Sequence, residues 1–232
     1  MHPLLAWAGS ERSEAVMGLA FLNQYVHQRL PGANLRLQTL PGCGNLKLYL
    51  LDPAFDDREL AQETKEQISD DPPYWIFCWA SGRAMAERIL AGDIPVKGKA
   101  VVDFGAGSGV VAIAAKLAGA RMAIACEIDP VANRMIALNA EVNDVRIEII
   151  DDLDAWDEPV DLLLGADVLY ERANLSFLDM FLRHAPEVVI ADSRQKTLSH
   201  NRYCAVGTHW TTSFPDFAEA REFNEVTFYS AK

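Results

Sequence analysis

A glycine-rich turn in the middle of the chain contains residue types that bind ligands. The run Ala100–Phe104 is apolar except for Asp103. It is followed by three glycines at alternate positions, Gly105, Gly107 and Gly109. Glycines allow the backbone to turn tightly and approach a ligand closely, and the next helix has its partly positive N-terminus in the same space. We therefore expect a ligand at this turn between a strand and a helix.

The acids near this turn indicate which ligand it binds. A dinucleotide site requires a glycine where this chain has Val110, and Asp103 would repel a pyrophosphate. Asp103 suits a cationic group instead, such as the amino end of a methionine moiety. Glu127 follows the second predicted strand, where a carboxylate can accept hydrogen bonds from both hydroxyls of a ribose. The pattern predicts S-adenosylmethionine rather than NAD, and the alternative is a tight turn with a capping acid.

Two residues after the third predicted strand could contact an adenine ring. Asp152 closes that strand, where the amino group of adenine would lie. Trp156 follows four residues later and could stack on the ring. The alternatives without a ligand are an ordinary loop acid for Asp152 and a core side chain for Trp156.

Polar residues also follow the fourth predicted strand, which ends at Ala166. The next residues, Asp167-Val168-Leu169-Tyr170, contain two groups that could take part in a reaction. In an open α/β sheet this strand end lies beside the first strand, over the reactive part of the ligand. We expect Asp167 and Tyr170 to contact the acceptor. The alternative is that Asp167 caps a helix and that Tyr170 is a packed aromatic residue.

Residues 71–74 spell Asp-Pro-Pro-Tyr, a tetrapeptide typical of nucleobase amino-methyltransferases. Only 28 residues, 75–102, separate Tyr74 from Asp103, which is too few for the strands that a permuted order must place between them. The fourth-strand position is already filled by Asp167. The net charge of −12 also repels a phosphate backbone, so we expect no action on nucleic acid.

Strands and helices alternate from about residue 99 onward. This alternation predicts βαβ units and a parallel sheet. Two further runs near the C-terminus are close enough in sequence to be antiparallel. We predict an α/β, Rossmann-like fold with a seven-stranded mixed sheet, helices on both faces and an antiparallel last strand. The predicted strands are Ala100–Phe104, Met122–Cys126, Val145–Ile150, Val160–Ala166, Glu187–Ala191, His209–Phe214 and Glu225–Ser230.

An extension precedes this domain. Residues 11–30 have apolar side chains at helical spacing, and Leu35–Leu40 and Leu46–Leu51 read as a hairpin. Residues 52–73 are rich in charge and read as a surface connection. We therefore predict a helix-and-hairpin extension over residues 1–72 and an S-adenosylmethionine-binding domain over residues 73–232.

The composition excludes several classes of protein. Half of the 232 residues are hydrophobic, so the chain is not disordered. No apolar run is long enough to span a membrane. The four cysteines have neither C-x-x-C spacing nor a histidine cluster, so we expect no metal. The N-terminus has no basic region typical of a leader, and we expect a cytoplasmic protein.

Together, residues 103–109, Glu127 and Asp167-x-x-Tyr170 resemble the class I, seven-stranded S-adenosylmethionine-dependent methyltransferases. The D-x-x-Y motif resembles the lysine-specific protein methyltransferases that share it. Residues 73–83, Pro-Tyr-Trp-Ile-Phe-Cys-Trp-Ala-Ser-Gly-Arg, are similar to the sequence before the glycine turn in the lysine methyltransferases of the electron transfer flavoprotein β subunit and their bacterial relatives. The resemblance covers about residues 70–195.

The resemblance implies roles in binding S-adenosylmethionine. Trp79 would pack beside the cofactor, and Glu127 would hold its ribose. Trp156 and Ala166 would flank the adenine. The residues around the methionine part would be Asp103, Gly105 and Gly107.

On the acceptor side, the resemblance implies that Asp167 and Tyr170 shape a channel for a lysine side chain. The implied activity is lysine N-methylation of a folded protein, with the electron transfer flavoprotein β subunit as the candidate partner. The branch often has Asp-Pro-Gly-Arg after the fifth strand, whereas this chain has Asp192-Ser193-Arg194 in the loop that faces the substrate.

Three other functions share part of the pattern. A small-molecule N-methyltransferase, acting on an amine or on a pyridine-like base such as nicotinamide, would have the same cofactor site and a different acceptor pocket. A nucleotide-cofactor oxidoreductase is disfavoured by Val110 and Asp103. A non-catalytic cofactor-binding partner protein is disfavoured by the intact Asp167.

Overall fold

The architecture is described from a computed structural model, which covers residues 4–56, 72–216 and 220–231. Within these residues there are five α-helices and nine strands. In chain order they are α1 (Leu4–Arg29), β1 (Leu35–Thr39), β2 (Lys47–Leu51), α2 (Ala80–Ala91), β3 (Ala100–Phe104), α3 (Val110–Leu117), β4 (Met122–Cys126), α4 (Pro130–Val142), β5 (Glu148–Ile150), β6 (Leu162–Ala166), α5 (Phe177–His184), β7 (Glu187–Asp192), β8 (Cys204–Trp210) and β9 (Glu225–Ala231).

Seven of these strands form one mixed sheet in the order β5-β4-β3-β6-β7-β9-β8. The strands from β5 to β7 are parallel, and β9 is antiparallel to both β7 and β8. The predicted α/β fold with an antiparallel last strand is therefore confirmed. Because the central strands are parallel, their carboxyl ends lie at one edge of the sheet, where open α/β sheets bind ligands.

The central strands are apolar because helices cover both of their faces. All residues of β3 and β6 are buried except the last of each strand, as expected for parallel strands in the middle of such a sheet. The third and fourth parallel strands begin later than predicted, at Glu148 and Leu162. A short 3-10 turn, Arg172–Ser176, comes directly before α5.

The prediction for the sixth strand was wrong. The strand is Cys204–Trp210 rather than residues 209–214. It lies at the edge of the sheet and most of its side chains are exposed, so it lacks the apolar pattern that marks a buried strand. Phe214 instead forms an isolated antiparallel bridge to Cys78, beside the start of α2.

Helix α2 was not predicted, and it positions several residues of the site. It buries small side chains, among them Ala80, Ser81 and Ala84, against the sheet. It ends at Ala91, and the next residue, Gly92, has a left-handed conformation (φ +85°) and donates its N–H to carbonyls of the last turn.

The N-terminal extension packs on the outer side of α4. Leu22 and Val26 of α1 are buried together with Trp75 and with Met135 and Leu138 of α4. Strands β1 and β2 form a separate antiparallel hairpin, as predicted.

Asn139 of α4 and Asn143, the residue directly after this helix, hold the hairpin. Asn139 Oδ1 accepts a hydrogen bond from the backbone N–H of Tyr49 at 2.7 Å, and Asn143 Oδ1 accepts one from the backbone N–H of Lys47 at 2.9 Å.

The predicted boundary between the extension and the domain lies between residues 72 and 73. It adjoins residues 57–71, which make up most of the predicted connection and lie outside the described residues. The domain boundary therefore stays a prediction.

None of the helices in the described part of the chain combines the length and the hydropathy that a bilayer span requires.

Candidate functional site

The glycine turn after β3 has a geometry that requires glycine. Gly105 has φ +69°, and a Cβ atom there would lie 2.9 Å from Cγ1 of Val168. Gly107 has φ +51°, but a Cβ atom there would meet nothing within 4 Å. Gly105 is therefore needed for both conformation and packing, whereas Gly107 faces open space in which a ligand could approach the backbone.

Asp103 is a buried carboxyl group at the end of β3. It is 2 % exposed, and its Oδ2 accepts a hydrogen bond from the backbone N–H of Ala112 in α3 at 3.0 Å. Burial raises the pKa of Asp103 to about 7; the nearby charge of Glu127 adds to the rise, and the bond from Ala112 opposes it. A cationic group beside Asp103 would offset this burial by favouring the ionised form.

Glu127 connects the glycine turn to the loop after β4. Its Oε2 accepts a hydrogen bond from the backbone N–H of Gly107 at 2.9 Å, and its Oε1 accepts one from Asp129 at 3.0 Å. A carboxylate has about four lone-pair positions, so each oxygen can accept a further bond. Two main-chain groups thus hold the carboxylate in a fixed orientation that suits a vicinal diol.

A cleft of about 370 Å³ lies at the carboxyl end of β5. This volume is within the range of small-molecule sites. The lining residues are Asn133, Ile149, Ile150, Asp151, Asp152 and Ala155.

Two observations on the residues around Glu127 fit a nucleoside. Ile128, next to Glu127, is 84 % exposed, so a flat apolar ring could cover it. Asn133 donates to the carbonyl of Glu127, while its Oδ1 is buried without a partner among the described residues. A buried acceptor without a partner is costly, and a ligand donor would satisfy it. The residues present therefore fit the nucleoside part of S-adenosylmethionine.

The structure places the predicted adenine contacts in different positions. Asp152 lines the cleft, and its Oδ1 also accepts a hydrogen bond from Asp154 N–H in the following 3-10 turn. Trp156 packs against the core beside Leu153 and is not among the lining residues. Ala166 ends β6, three strands away from β5. The adenine roles of Trp156 and Ala166 stay predictions.

On the other side of β3, Asp167 accepts hydrogen bonds from two distant serines. Its Oδ1 accepts from Ser81 Oγ at 2.7 Å, from Ser193 Oγ at 2.7 Å and from Ser193 N–H at 3.0 Å. Its Oδ2 accepts from Ser81 N–H at 3.3 Å. Asp167 has φ +53°, an uncommon conformation for a residue other than glycine, and such residues are concentrated at functional sites.

Three aromatic rings, one of them from the D-x-x-Y segment, form a row of contacts that we call the aromatic collar: Tyr74, Trp79 and Tyr170. The ring centroids of Tyr74 and Trp79 are 5.9 Å apart, and those of Tyr74 and Tyr170 are 6.3 Å apart. Tyr74 and Tyr170 are 51 % and 54 % exposed. Burial, with the charge of Glu171, raises the pKa of Tyr170, so its phenol keeps its proton and can donate.

Trp79 belongs to this collar through both its ring and its ring nitrogen. Its Nε1–H donates to the carbonyl of Tyr74 at 2.9 Å, and its ring also contacts Phe77 with centroids 5.2 Å apart. The role of Trp79 beside the cofactor stays a prediction, and its ring contacts within the described residues are with Tyr74 and Phe77. Tyr74, part of the tetrapeptide set aside above, lies in the site.

Sequence reasoning missed several residues at this edge. Ser81 and Ser193 are small polar residues in segments far apart along the chain. Ser193 lies in the loop where this chain differs from the Asp-Pro-Gly-Arg sequence of the related branch. That difference was the one feature of the sequence that could have indicated a role for Ser193. Ile128 could have been found as an apolar residue in a loop directly after a strand-end acid.

Comparisons with known proteins agree with this geometry. The family model of the ribosomal protein L11 methyltransferases (PrmA) matches residues 89–174. The electron transfer flavoprotein β subunit lysine methyltransferase of Xenopus laevis is 30 % identical over 169 residues, which cover 69 % of this chain and 68 % of that protein. The human protein of the same name is 36 % identical over 114 residues, covering 48 % of this chain and 44 % of that protein.

The match to the mammalian relatives is partial, since the chain spans about half the length of the mouse protein and somewhat less of the human one. Among solved structures, the ribosomal protein L11 methylase of Lactobacillus delbrueckii subsp. bulgaricus has a TM-score of 0.51 at 18 % identity, over 66 % of this chain and 78 % of that chain. The magnesium protoporphyrin IX methyltransferase of Synechocystis PCC 6803, solved with S-adenosylmethionine, has a TM-score of 0.51 at 16 % identity, over 76 % of this chain and 86 % of that chain.

At these identities the solved structures show the fold alone, and the Xenopus relative shows the family. The glycine turn follows β3, Glu127 follows β4 and the D-x-x-Y segment follows β6. The chain belongs to the class I S-adenosylmethionine-dependent methyltransferases, in the branch of the electron transfer flavoprotein β subunit lysine methyltransferases.

Proposed function

We propose that this chain is an S-adenosylmethionine-dependent methyltransferase that acts on lysine side chains of a folded protein, with the electron transfer flavoprotein β subunit as the leading candidate. The proposal rests on one observation: residues suited to the cofactor and residues suited to the acceptor lie at the same edge of the sheet. Glu127 and the glycine turn lie on one side of β3, and Asp167 with the aromatic collar lies on the other. The names of the curated relatives support the protein acceptor.

The cofactor side would hold and orient the methyl donor. When bound, S-adenosylmethionine supplies a methyl group activated by a sulfonium, which is a good leaving group. Glu127 accepts from the ribose hydroxyls, and Asp103 faces the cationic methionine end. Because the donor is already reactive, most of the rate would come from correct alignment of the acceptor nitrogen.

The acceptor side must take a lysine that is almost entirely protonated in water. With a pKa of about 10.4, only about one free lysine in 10³ to 10⁴ is neutral at about pH 7. Asp167 and the faces of the collar attract the incoming ammonium, the rings by cation–π interaction. Partial desolvation among the rings then favours loss of the proton to water. Tyr170, which keeps its proton, can close the channel over the amine.

The charge of the whole chain is compatible with this acceptor. The net charge of −12 would steer a lysine-rich protein surface towards the site. The alternative of a small-molecule N-methyltransferase is not favoured, because the reported relatives of this branch are named for a protein substrate.

The test is methyl transfer from labelled S-adenosylmethionine by the purified chain. The acceptors are purified electron transfer flavoprotein β subunit and a cell extract, with the labelled band analysed by mass spectrometry. We expect a methyl group on a lysine side chain, and no labelling by the Glu127→Ala variant at low cofactor concentration. Labelling of a small amine without labelling of any protein would contradict the proposal.

A further inference from the structure

Three segments of the chain meet at the Asp167 carboxylate. Ser81, in the first turn of α2, is 86 positions before Asp167, and Ser193, just after β7, is 26 positions after it. Both serines are buried, with 0 % and 2 % exposure. A buried hydroxyl needs a hydrogen-bond partner, and both hydroxyls find it in the same oxygen.

The bonds to Asp167 are unevenly distributed over its two oxygens. Oδ1 accepts from both hydroxyls and from the backbone N–H of Ser193 at 2.7–3.0 Å. From the described residues, Oδ2 accepts only the longer bond from Ser81 N–H at 3.3 Å. A carboxylate oxygen has about two lone-pair positions, so Oδ1 is saturated and Oδ2 can accept another donor.

These bonds also fix the start of α2. Its first two N–H groups, which have no partner within the helix, are bonded by Ser213 Oγ and by Asp167 Oδ2. Trp79 stands directly before this helix and has no capping side chain of its own. Asp167 therefore holds the helix end that carries the Trp79 ring of the collar.

We propose that Ser81 and Ser193 are positioning residues for the acceptor. Their hydroxyls fix the Asp167 carboxylate in one orientation, with Oδ2 as the oxygen left for the acceptor ammonium. The inference rests on the proposed methyl transfer to an amine and deepens it, because it names the residues that orient the acceptor-side acid.

The test is a double-mutant cycle between each serine and Asp167. In the wild-type background, Ser193→Ala and Ser81→Ala should each lower kcat for the protein acceptor by roughly tenfold, with the KM for S-adenosylmethionine unchanged, since each removes a bond to a charged group. In the Asp167→Asn background the same substitutions should change kcat by less than about twofold, because the group that they position has lost its charge. Asn is the matched change, since it tolerates the positive φ.

Ser213→Ala is the control. It removes a bond to the same end of α2 without touching Asp167, and its kcat should stay within about twofold of the wild type. An equal loss in Ser213→Ala, or an unreduced loss from the serine substitutions in the Asp167→Asn background, would mean that the serines only support the helix, and the proposal would be overturned.

A second measurement separates this inference from the proposed function. Hydrogen exchange at the amides of Ser81 and Ser193 should be faster in Asp167→Asn than in the wild type, whereas exchange in β3 and β4 should be unchanged. If the wild type methylates no lysine, the proposed function fails, and the exchange result still decides whether Asp167 holds the two serines. Unchanged exchange at both amides would overturn the inference even in an enzyme that methylates lysine.

Discussion

The two sides of β3 are built differently. On the cofactor side, Asp103 and Glu127 bond main-chain N–H groups that are 2 to 20 positions away in sequence. On the acceptor side, Asp167 bonds side chains and amides that are 26 and 86 positions away. The cofactor side is local and depends mostly on backbone, whereas the acceptor side is assembled by tertiary packing of three segments.

This difference indicates which side of the site is more easily altered by substitutions. Main-chain donors persist when side chains change, so the cofactor side keeps its geometry as long as the turn keeps its glycines. The acceptor side depends on side chains from separate segments, so single substitutions there can alter which acceptor fits. A family with one donor and several acceptors is expected to have this asymmetry.

The strongest test of the comparison is Asp167→Asn. Turnover of the protein acceptor should fall by about 10²-fold, because a group that fixes the reacting geometry has lost its charge. Cofactor affinity should change by no more than a few fold, since the Asp167 carboxylate bonds Ser81 and Ser193, whereas the Glu127 carboxylate bonds Gly107 and Asp129. Calorimetry measures the cofactor affinity of the variant, and a methylation assay on the same preparation measures its turnover. An equal loss of affinity and turnover would show that the cofactor side and the acceptor side are not independent.

Glu127→Ala tests the cofactor side in the opposite direction. S-adenosylmethionine binding should weaken by about 1.5–3 kcal/mol, the usual size for hydrogen bonds to a charged group. Glu148→Ala, which removes an acid at the other end of the neighbouring strand β5, is the matched control and should bind normally. Unchanged calorimetric affinity in Glu127→Ala would remove this residue from the ribose role.

The pKa of Asp103 gives the cofactor side a dependence on pH. Below about pH 7 this buried carboxyl is protonated in the free protein and has no charge for the ammonium of the cofactor. We expect S-adenosylmethionine to bind roughly tenfold more weakly at about pH 6 than at about pH 8, because each unit below the pKa costs up to tenfold. The Asp103→Asn variant should bind S-adenosylmethionine weakly at both pH values. If the affinity of that variant still changed tenfold between them, the titrating group would be another residue.

The smallest effect is expected from substitution of Tyr74, an exposed ring of the aromatic collar. Tyr74→Ala should raise the KM for the protein acceptor about two- to fivefold, since an exposed cation–π contact contributes about 0.5–1 kcal/mol. Tyr74→Phe keeps the ring and should resemble the wild type. Trp210→Ala removes another exposed ring, at the far edge of the sheet, and should leave the KM unchanged. Equal effects of Tyr74→Ala and Tyr74→Phe would assign the role to the hydroxyl instead.

The same contrast explains how far the sequence predicted this molecule. The parallel strands and the glycine turn were predictable because buried apolar runs and closely spaced glycines are local patterns. Strand β8 was misplaced because an exposed edge strand carries no such pattern, and α2 was missed because its small side chains give little periodicity. Ser81 and Ser193 could not be paired with Asp167, since only the packing of α2, β6 and β7 brings them together.

The attachment of the β1–β2 hairpin to α4 limits where this chain can be cut. Asn139 and Asn143 are one helical turn apart, and both bond backbone N–H groups of β2. The same helix packs Met135 and Leu138 under α1. A fragment starting at residue 72 would keep the whole seven-stranded sheet but would expose this apolar face to water. The extension therefore covers the apolar face of α4, which begins two residues after Ile128. A shortened chain is expected to aggregate before its methyl-transfer activity can be measured.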